Sequence, residues 1–352
     1  MPLLARMVGV PLAVEVRAGA VASLGPLLQD HRISSGGHVA VVVGPGQGER
    51  VAADLAASLS RAELMTAHDG TLDTALGLAT ALRRGHFDAV VGVGGGRVLD
   101  VTKHAATLSG LPMVSCATNL AHDGIASPVA SLVADGRKTS YGVQMPVAVV
   151  VDLDYVRVSP VRMRRAGIGD ALSNLSALAD WELAARGRGE VVDGLAAAFA
   201  RTGAEALLRR EGTVEDDGFL TTLAEALVLS GLAMAVAGSS RPCSGGDHEI
   251  LHAVDVLHPG TSNHGELAGV GALYTALLRG DDELFERLRV CLGRHELPRT
   301  PAELGLTDEQ FALAVQYAPL TRPDRYTVLE HLDLDLDQIR ESVRALTTAV
   351  RR

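Results

Sequence analysis

The chain has 352 residues, of which 47% are hydrophobic and 21% charged, and it carries a formal net charge of −10. That length suits about two domains, and the apolar content supplies a buried core and excludes a disordered chain. The acidic balance excludes a general nucleic-acid binder, which needs a basic face, but it leaves room for a locally positive pocket that takes a small anion.

The opening residues, Met1 to Arg6, lack a leader-like apolar region. No apolar run approaches the ~20 residues of a membrane span. Cys116, Cys243 and Cys291 are few, odd in number and widely spaced, which points to a reducing compartment rather than a disulfide framework. A cytoplasmic protein with no membrane or nucleic-acid partner is expected. Aromatic residues make up only 3%, so Ala, Val and Leu must fill the core.

Along the first 155 or so residues, short β-branched runs alternate with helical stretches. Strands are predicted at Leu12 to Arg17, His38 to Val43, Ala62 to Thr66, Ala89 to Val93, Met113 to Cys116 and Ala148 to Asp152. Helices are predicted at Gly48 to Ser60, Thr71 to Arg84 and Arg97 to Leu108. Such repetition implies a parallel sheet covered by helices. After Asp154 the character changes to Ala/Leu-rich helical segments. These run Val161 to Arg165, Ala171 to Arg186, Val192 to Arg210, Phe219 to Ala237, His248 to Leu257, Glu266 to Leu278, Asp281 to Leu292, Asp308 to Gln316 and Leu336 to Val350. The expected organisation is an α/β N-terminal domain with a Rossmann-like parallel sheet over residues 1–157, then an all-α domain over 158–352.

Two motifs carry chemistry. Gly92-Val93-Gly94-Gly95-Gly96-Arg97 joins a buried strand to a helix. Glycines there let backbone approach an anion, and the helix start offers free N–H groups. The spacing is not the Rossmann fingerprint, because Arg97 stands where a third glycine is expected. No acidic residue directly follows the His38 to Val43 strand to bind a ribose 2′-hydroxyl, so NADP is admitted beside NAD. The second motif is histidine-rich. His248 and His252 lie four apart on one helix face, and His264 follows a turn at Pro259-Gly260. A catalytic metal takes three protein ligands and keeps one position open. By spacing, the third ligand is open among His264, His258 and a carboxylate, for which Asp170 in Gly167-Ile168-Gly169-Asp170 is the best candidate, placed at a helix start. His104, His122 and His295 have no comparable company in the sequence.

Several further blocks stand in order along nearly the whole chain. They are Gly94 to Asp100, Thr118 to Pro128 with His122-Asp123-Gly124, Gly169 to Asn174, Asp180 to Leu183, Gly238 to Pro242, His264-Gly265-Glu266 and Arg322 to Leu329. Together they resemble the iron-containing alcohol dehydrogenase and dehydroquinate synthase superfamily, and within it the sn-glycerol-1-phosphate dehydrogenase family. The resemblance implies a dehydroquinate synthase-like fold whose second domain binds metal and substrate, and a homo-oligomer. It implies that Asp170, His248 and His264 bind the metal, zinc by expectation with Ni2+ or Fe2+ as alternatives, and that His258 does not. His252 would be a substrate contact and proton relay, and Asp123 would meet substrate near the nicotinamide. Gly94, Gly95, Gly96, Arg97, Val98, Leu99, Asp100, Thr118, Asn119, Leu120, Ala121 and Ser127 would contact NAD or NADP. Asp170 and Arg241 are also candidate substrate contacts, Arg241 because arginine suits bidentate phosphate binding.

The implied reaction is reduction of dihydroxyacetone phosphate to sn-glycerol 1-phosphate, or of a similar polyol phosphate. The rival is a dehydroquinate synthase-like sugar-phosphate cyclase with NAD acting transiently. Its pattern has glutamate where Asp170 stands. Two departures from the family are visible: Ala121 replaces the serine before His122, and Gly246-Asp247 replaces Ser-Glu before His248.

Overall fold

A computed structural model of the chain describes residues 11–46, 48–55, 58–59 and 61–351. Met1 to Arg6 and Ser60, the expected end of a helix, lie outside the described residues. The chain divides into two compact units, one of residues 1–120 with 124–159, the other of 121–123 with 160–352.

The first unit holds β1 (Ala13–Arg17), α1 (Leu24–Asp30), β2 (Val39–Val43), α2 (Gly48–Leu55), β3 (Glu63–Thr66), α3 (Leu72–Gly85), β4 (Ala89–Gly94), α4 (Gly96–Ser109), β5 (Met113–Ala117), β6 (Val129–Ala134), β7 (Arg137–Gly142), β8 (Ala148–Asp152) and α5 (Leu153–Val158). Six strands form one parallel sheet in the order β1-β8-β5-β4-β2-β3. The four inner strands β2, β4, β5 and β8 are buried at every residue. That is why they read as short runs of valine and other small or apolar residues and were legible. All six expected strands are present, within one residue at each end.

The antiparallel hairpin β6–β7 was not expected. Its second strand, Arg137-Lys138-Thr139-Ser140-Tyr141-Gly142, is exposed at nearly every position. It therefore lacks the apolar alternation by which a half-buried strand is recognised. The short helices α1 and α5 were missed as well, being little longer than a turn or two.

The second unit is helical: α6 (Val161–Arg188), α7 (Gly194–Arg209), α8 (Asp217–Ala237), α9 (Gly246–Leu257), α10 (His264–Arg279), α11 (Asp282–Arg294), α12 (Asp308–Tyr317), α13 (Val328–Leu332) and α14 (Leu336–Val350). One correction concerns α6, expected as two helices, Val161 to Arg165 and Ala171 to Arg186. It is continuous over 28 residues. Gly169 serves a close crossing with α10. A second correction concerns α8. It is long and apolar enough to cross a membrane by length and composition, contrary to the reading that no run approaches that size. Yet 67% of that apolar stretch is buried, with Phe219, Leu220, Leu223, Ala224 and Leu227 inside the helical core.

Candidate metal centre and cofactor turn

Three helices of the second unit bring the metal candidates together, and glycine makes each approach possible. Asp170 lies in the middle of α6, not at a helix start, and is buried. Next to it, a Cβ on Gly169 would overlap the carbonyl oxygen of Gly265 on α10. A Cβ on Gly265 would in turn overlap the carbonyl oxygen of Ala166. Side chains larger than hydrogen at either position would hold α10 away from α6. On the other face of α10, a Cβ on Gly271 would stand 2.6 Å from the Asp247 carbonyl oxygen of α9. The helices therefore meet backbone to backbone beside Asp170, His264 and His248.

The resulting cluster is tight. Asp170 Oδ1 lies 3.3 Å from His264 Nε2 and 3.7 Å from His248 Nε2. One donor atom from each of the three residues falls within 4.8 Å of the others. Ligands at 2.0–2.2 Å in a tetrahedral zinc site stand about 3.4 Å apart, so the donor set and its spacing fit a divalent ion.

Electrostatics favour the same occupant. Burial acts to raise the Asp170 carboxyl, but His248 and His264 outweigh it and hold it well below the usual carboxylate range. Burial pulls the His248 imidazole down, while hydrogen bonds and charge from Asp170 and Asp247 prevail and push it up to about 9. Burial keeps the Cys243 thiol protonated, with Asp123 and Asp170 adding to the effect. The pocket is thus a place of negative potential that stabilises positive charge.

Supporting contacts fix the geometry. Asp247 Oδ1 lies 2.7 Å from His248 Nδ1 and also accepts the backbone N–H groups of Gly245 and His248 at 3.0 and 2.6 Å. This leaves Nε2 directed at Asp170, as outer carboxylates do for metal-ligating imidazoles. Asp180, about three turns beyond Asp170 on α6, accepts the Gly246 N–H at 2.8 Å at the start of α9 and the Val328 N–H at 3.0 Å. Asp123 donates its backbone N–H to Asp170 Oδ2 at 2.8 Å.

His252 is not part of the donor triangle. Its ring centroid lies 6.4 Å from that of His248, and its Nε2 accepts a hydrogen bond from Arg322 Nη2 at 2.8 Å. A guanidinium has no lone pair, so Nε2 is the acceptor and the ring proton sits on Nδ1. His258 ends α9 and lines a separate surface pocket of about 450 Å³ with Leu257, Leu313 and Tyr317.

His122, which looked isolated in the sequence, has its ring 5.5 Å from that of His264. The other two isolated histidines pair with aromatic rings instead, His104 with Tyr141 and His295 with Phe219. Arg241 is buried and directs its guanidinium at Glu190, with Nε at 2.7 Å from Oε1 and Nη2 also bonded to that carboxylate. A third bond reaches the Tyr326 carbonyl at 3.3 Å. The expectation that Arg241 meets a phosphate therefore faces a fork already closed on a carboxylate.

In the first unit the glycine turn is built as a sharp strand-to-helix joint. β4 ends at Gly94, and Gly95 caps α4 without a side-chain acceptor, so the first N–H groups of the helix lack a side-chain cap. A Cβ on Gly95 would collide with the Asn119 side-chain amide, and one on Gly94 would lie 2.7 Å from Val98 Cβ. Val98, Leu99 and Leu120 point into the core, so only their backbone could serve a cofactor. Arg97 is exposed, and the Thr118 N–H bonds the Gly94 carbonyl at 3.0 Å. Asp100 and Ser127 are occupied by buried Lys103. Its Nζ lies 3.0 Å from Asp100 Oδ1 and donates to the Ser127 and Val129 carbonyls. Asp100 Oδ2 also accepts the Ser131 N–H at 3.2 Å.

A family profile described as iron-containing alcohol dehydrogenase matches residues 15–160. The glycerol-1-phosphate dehydrogenase (NAD(P)+) of Methanosarcina barkeri is 34% identical over 331 residues, 92% of each chain. The enzyme of the same name from Saccharolobus islandicus strain L.S.2.15 is 37% identical over 269 residues, 76% of each chain. The chain belongs to the glycerol-1-phosphate dehydrogenase family.

Solved structures agree on the fold. A probable glycerol dehydrogenase from Sinorhizobium meliloti 1021 superposes with a TM-score of 0.78 at 22% identity over 99% of both chains. Glycerol dehydrogenase from Schizosaccharomyces pombe gives 0.78 at 21% identity over 99% of this chain and 91% of that one. For a glycerol-1-phosphate dehydrogenase family member, the Gly246-Asp247 departure has a local reason. A Cβ on Gly246 would lie 3.1 Å from Thr327 Oγ1 and 3.3 Å from Thr275 Cγ2. The one-carbon-shorter acid at 247 still reaches both the backbone N–H and the ring of His248.

Proposed function

We propose that this protein is a metal- and NAD(P)-dependent glycerol-1-phosphate dehydrogenase that interconverts dihydroxyacetone phosphate and sn-glycerol 1-phosphate. The observation that carries the reading is the Asp170–His248–His264 triangle in a chain that matches a glycerol-1-phosphate dehydrogenase along 92% of its length. The resident ion is proposed to be zinc, although imidazole and carboxylate donors also suit nickel and iron.

When bound, the two cofactors supply a hydride from reduced nicotinamide and polarisation of a carbonyl by a divalent cation. Asp170, His248 and His264 hold the ion. Asp247 keeps the His248 ring turned so that Nε2 faces the ion site. Asp123 and His252 contact the substrate. Reduction of a ketone also takes up one proton, which comes ultimately from solvent, and His252 is the side chain that relays it. The Gly94–Asp100 turn with Thr118 to Ala121 and Ser127 binds NAD(P), largely through backbone N–H groups at the start of α4. The sheet unit is thus the cofactor domain, and the helical unit binds metal and substrate.

The enzyme is proposed to act in the cytoplasm as a homo-oligomer on small phosphorylated polyols. The acidic net charge and three free, buried cysteines support that setting. The cyclase alternative is disfavoured by Asp170 at the position where that pattern has glutamate, and by the names of the matched relatives.

The test is to follow NADH and NADPH absorbance with dihydroxyacetone phosphate and purified, metal-loaded protein. Stoichiometric cofactor oxidation is expected. Product formation with no net change in cofactor would replace this reading with the cyclase.

A further inference from the structure

Arg241, Arg322 and Arg325 gather in the helical unit around residues 239–244, and they differ in what answers their charge. Arg241 has Glu190. Arg322 and Arg325 converge instead on one hydroxyl. Arg322 Nη1 donates to Ser240 Oγ at 3.0 Å, and Arg325 Nη2 donates to the same oxygen at 2.6 Å. Their other donors also meet uncharged acceptors, His252 Nε2 for Arg322 and the Ser244 carbonyl for Arg325. Among the described residues, neither guanidinium forms an ion pair with a carboxylate.

Asp247 and Glu249 act on both guanidinium groups through space, but neither carboxylate is bonded to them. Asp247 Oδ1 is bonded to His248 and to two backbone N–H groups. Glu249 Oε2 accepts the Thr327 hydroxyl at 3.0 Å. Both arginines are half-buried, and two like charges taken partly out of water without an anion are costly. Burial pulls the Arg325 guanidinium down and the charges of Arg322 and Arg241 add to the effect, against a smaller opposite pull from Glu249 and Asp247. Nearby, the buried Ser244 hydroxyl has no hydrogen-bond partner. Planar forks without a carboxylate, beside an unsatisfied hydroxyl, match the oxygens of a phosphate.

The position of this nest also suits the substrate. From His248 in the ion triangle it is 6.4 Å, ring to ring, to His252, and one 2.8 Å hydrogen bond more to Arg322. A three-carbon phosphate is a few bonds of about 1.5 Å each. A ketone oxygen at the triangle therefore leaves the phosphate within reach of the arginine forks.

We propose that Arg322 and Arg325, bridged by Ser240, are the subsite that binds the substrate phosphate and selects phosphorylated over unphosphorylated three-carbon ketones. The inference rests on the reading of the chain as a polyol-phosphate dehydrogenase. Arg322 has a second part as a positioning residue, because it sets the tautomer of His252.

The experiment compares wild type, Arg325→Gln and Arg325→Lys with dihydroxyacetone phosphate and with unphosphorylated dihydroxyacetone. Loss of one charge-assisted fork is expected to lower the ratio of the two kcat/KM values roughly 10- to 100-fold in Arg325→Gln, mainly through KM, with partial recovery in Arg325→Lys. An unchanged ratio overturns the subsite. So does a rise in KM for NADH or NADPH alone, which would assign the arginines to a cofactor phosphate. Wild type inactive on both ketones would instead sink the proposed function.

A measurement on unaltered protein covers the case in which the variants do not fold. Phenylglyoxal labelling of wild type, read by mass spectrometry on the peptide holding residues 322–325, is expected to be blocked by millimolar inorganic phosphate. Labelling that ignores phosphate overturns the proposal.

Discussion

The glycine turn after β4 and the ion triangle of the helical unit use the same residue for different ends. In the turn, two of three consecutive glycines make room within one strand–helix–strand unit: Gly94 for Val98 four residues on, and Gly95 for Asn119 on the loop after the next strand. In the triangle, Gly169 and Gly265 lie on two helices and allow contacts across nearly a hundred residues of chain, while Gly271 meets Asp247 on the preceding helix. Clustered glycines announced the turn. The scattered ones announced nothing. The comparison teaches that glycine marks close approach in both places, and that only its spacing tells a reader whether the partner is local.

That contrast can be broken experimentally. The largest effect is expected for His264→Ala, which should lose the ion and at least ~10³-fold of kcat, equivalent to several kcal/mol of transition-state stabilisation, while circular dichroism remains that of a folded protein. Full activity with no bound metal would remove the triangle from the mechanism. Next comes Gly265→Ala. On an ordinary helix position this change stabilises by up to ~1 kcal/mol. Here the methyl meets the Ala166 carbonyl, so a loss of about 1–3 kcal/mol and a weaker hold on metal should appear in thermal melts and metal titrations. A raised melting temperature would show that the crossing is not tight.

Asp247→Asn should weaken metal affinity about 10- to 100-fold with little change in melting temperature of the ion-free protein. Equal affinity would mean that packing alone orients His248. The smallest effect is expected at the turn. Gly95→Ala meets a side-chain amide that can swing aside, so a several-fold rise in KM for NAD(P)H, with metal content unchanged, is the expected outcome of cofactor kinetics. A change in metal content would tie the turn to the ion site in a way the comparison above does not allow.

The sequence disclosed the parallel sheet because its inner strands are apolar on both faces, and the helical second half because its Ala/Leu runs are long. It did not disclose β7, whose six residues carry Arg, Lys, Thr and Ser toward solvent. His122 and the Arg322–Arg325 pair were within blocks that already stood out, but a residue type inside a block does not say what it faces. Arg241 shows the cost of that gap. Its chemistry suits phosphate, and the structure gives it Glu190, 51 residues away.

By itself, then, the sequence determined the order of strands and helices, the α6 and α9 donor residues as candidates, and membership of a family through blocks spread over the whole chain. Periodicity and local motif are properties of neighbours along the chain, so they survive in one dimension. The tertiary structure alone decided that α6 runs unbroken through Asp170 and which arginine is answered by a carboxylate, and it supplied the geometry for the choice of His264 over His258 that the resemblance had implied. Those outcomes depend on backbone approaching backbone and on charges meeting across long loops, and distances of that kind exist only once the helices have packed.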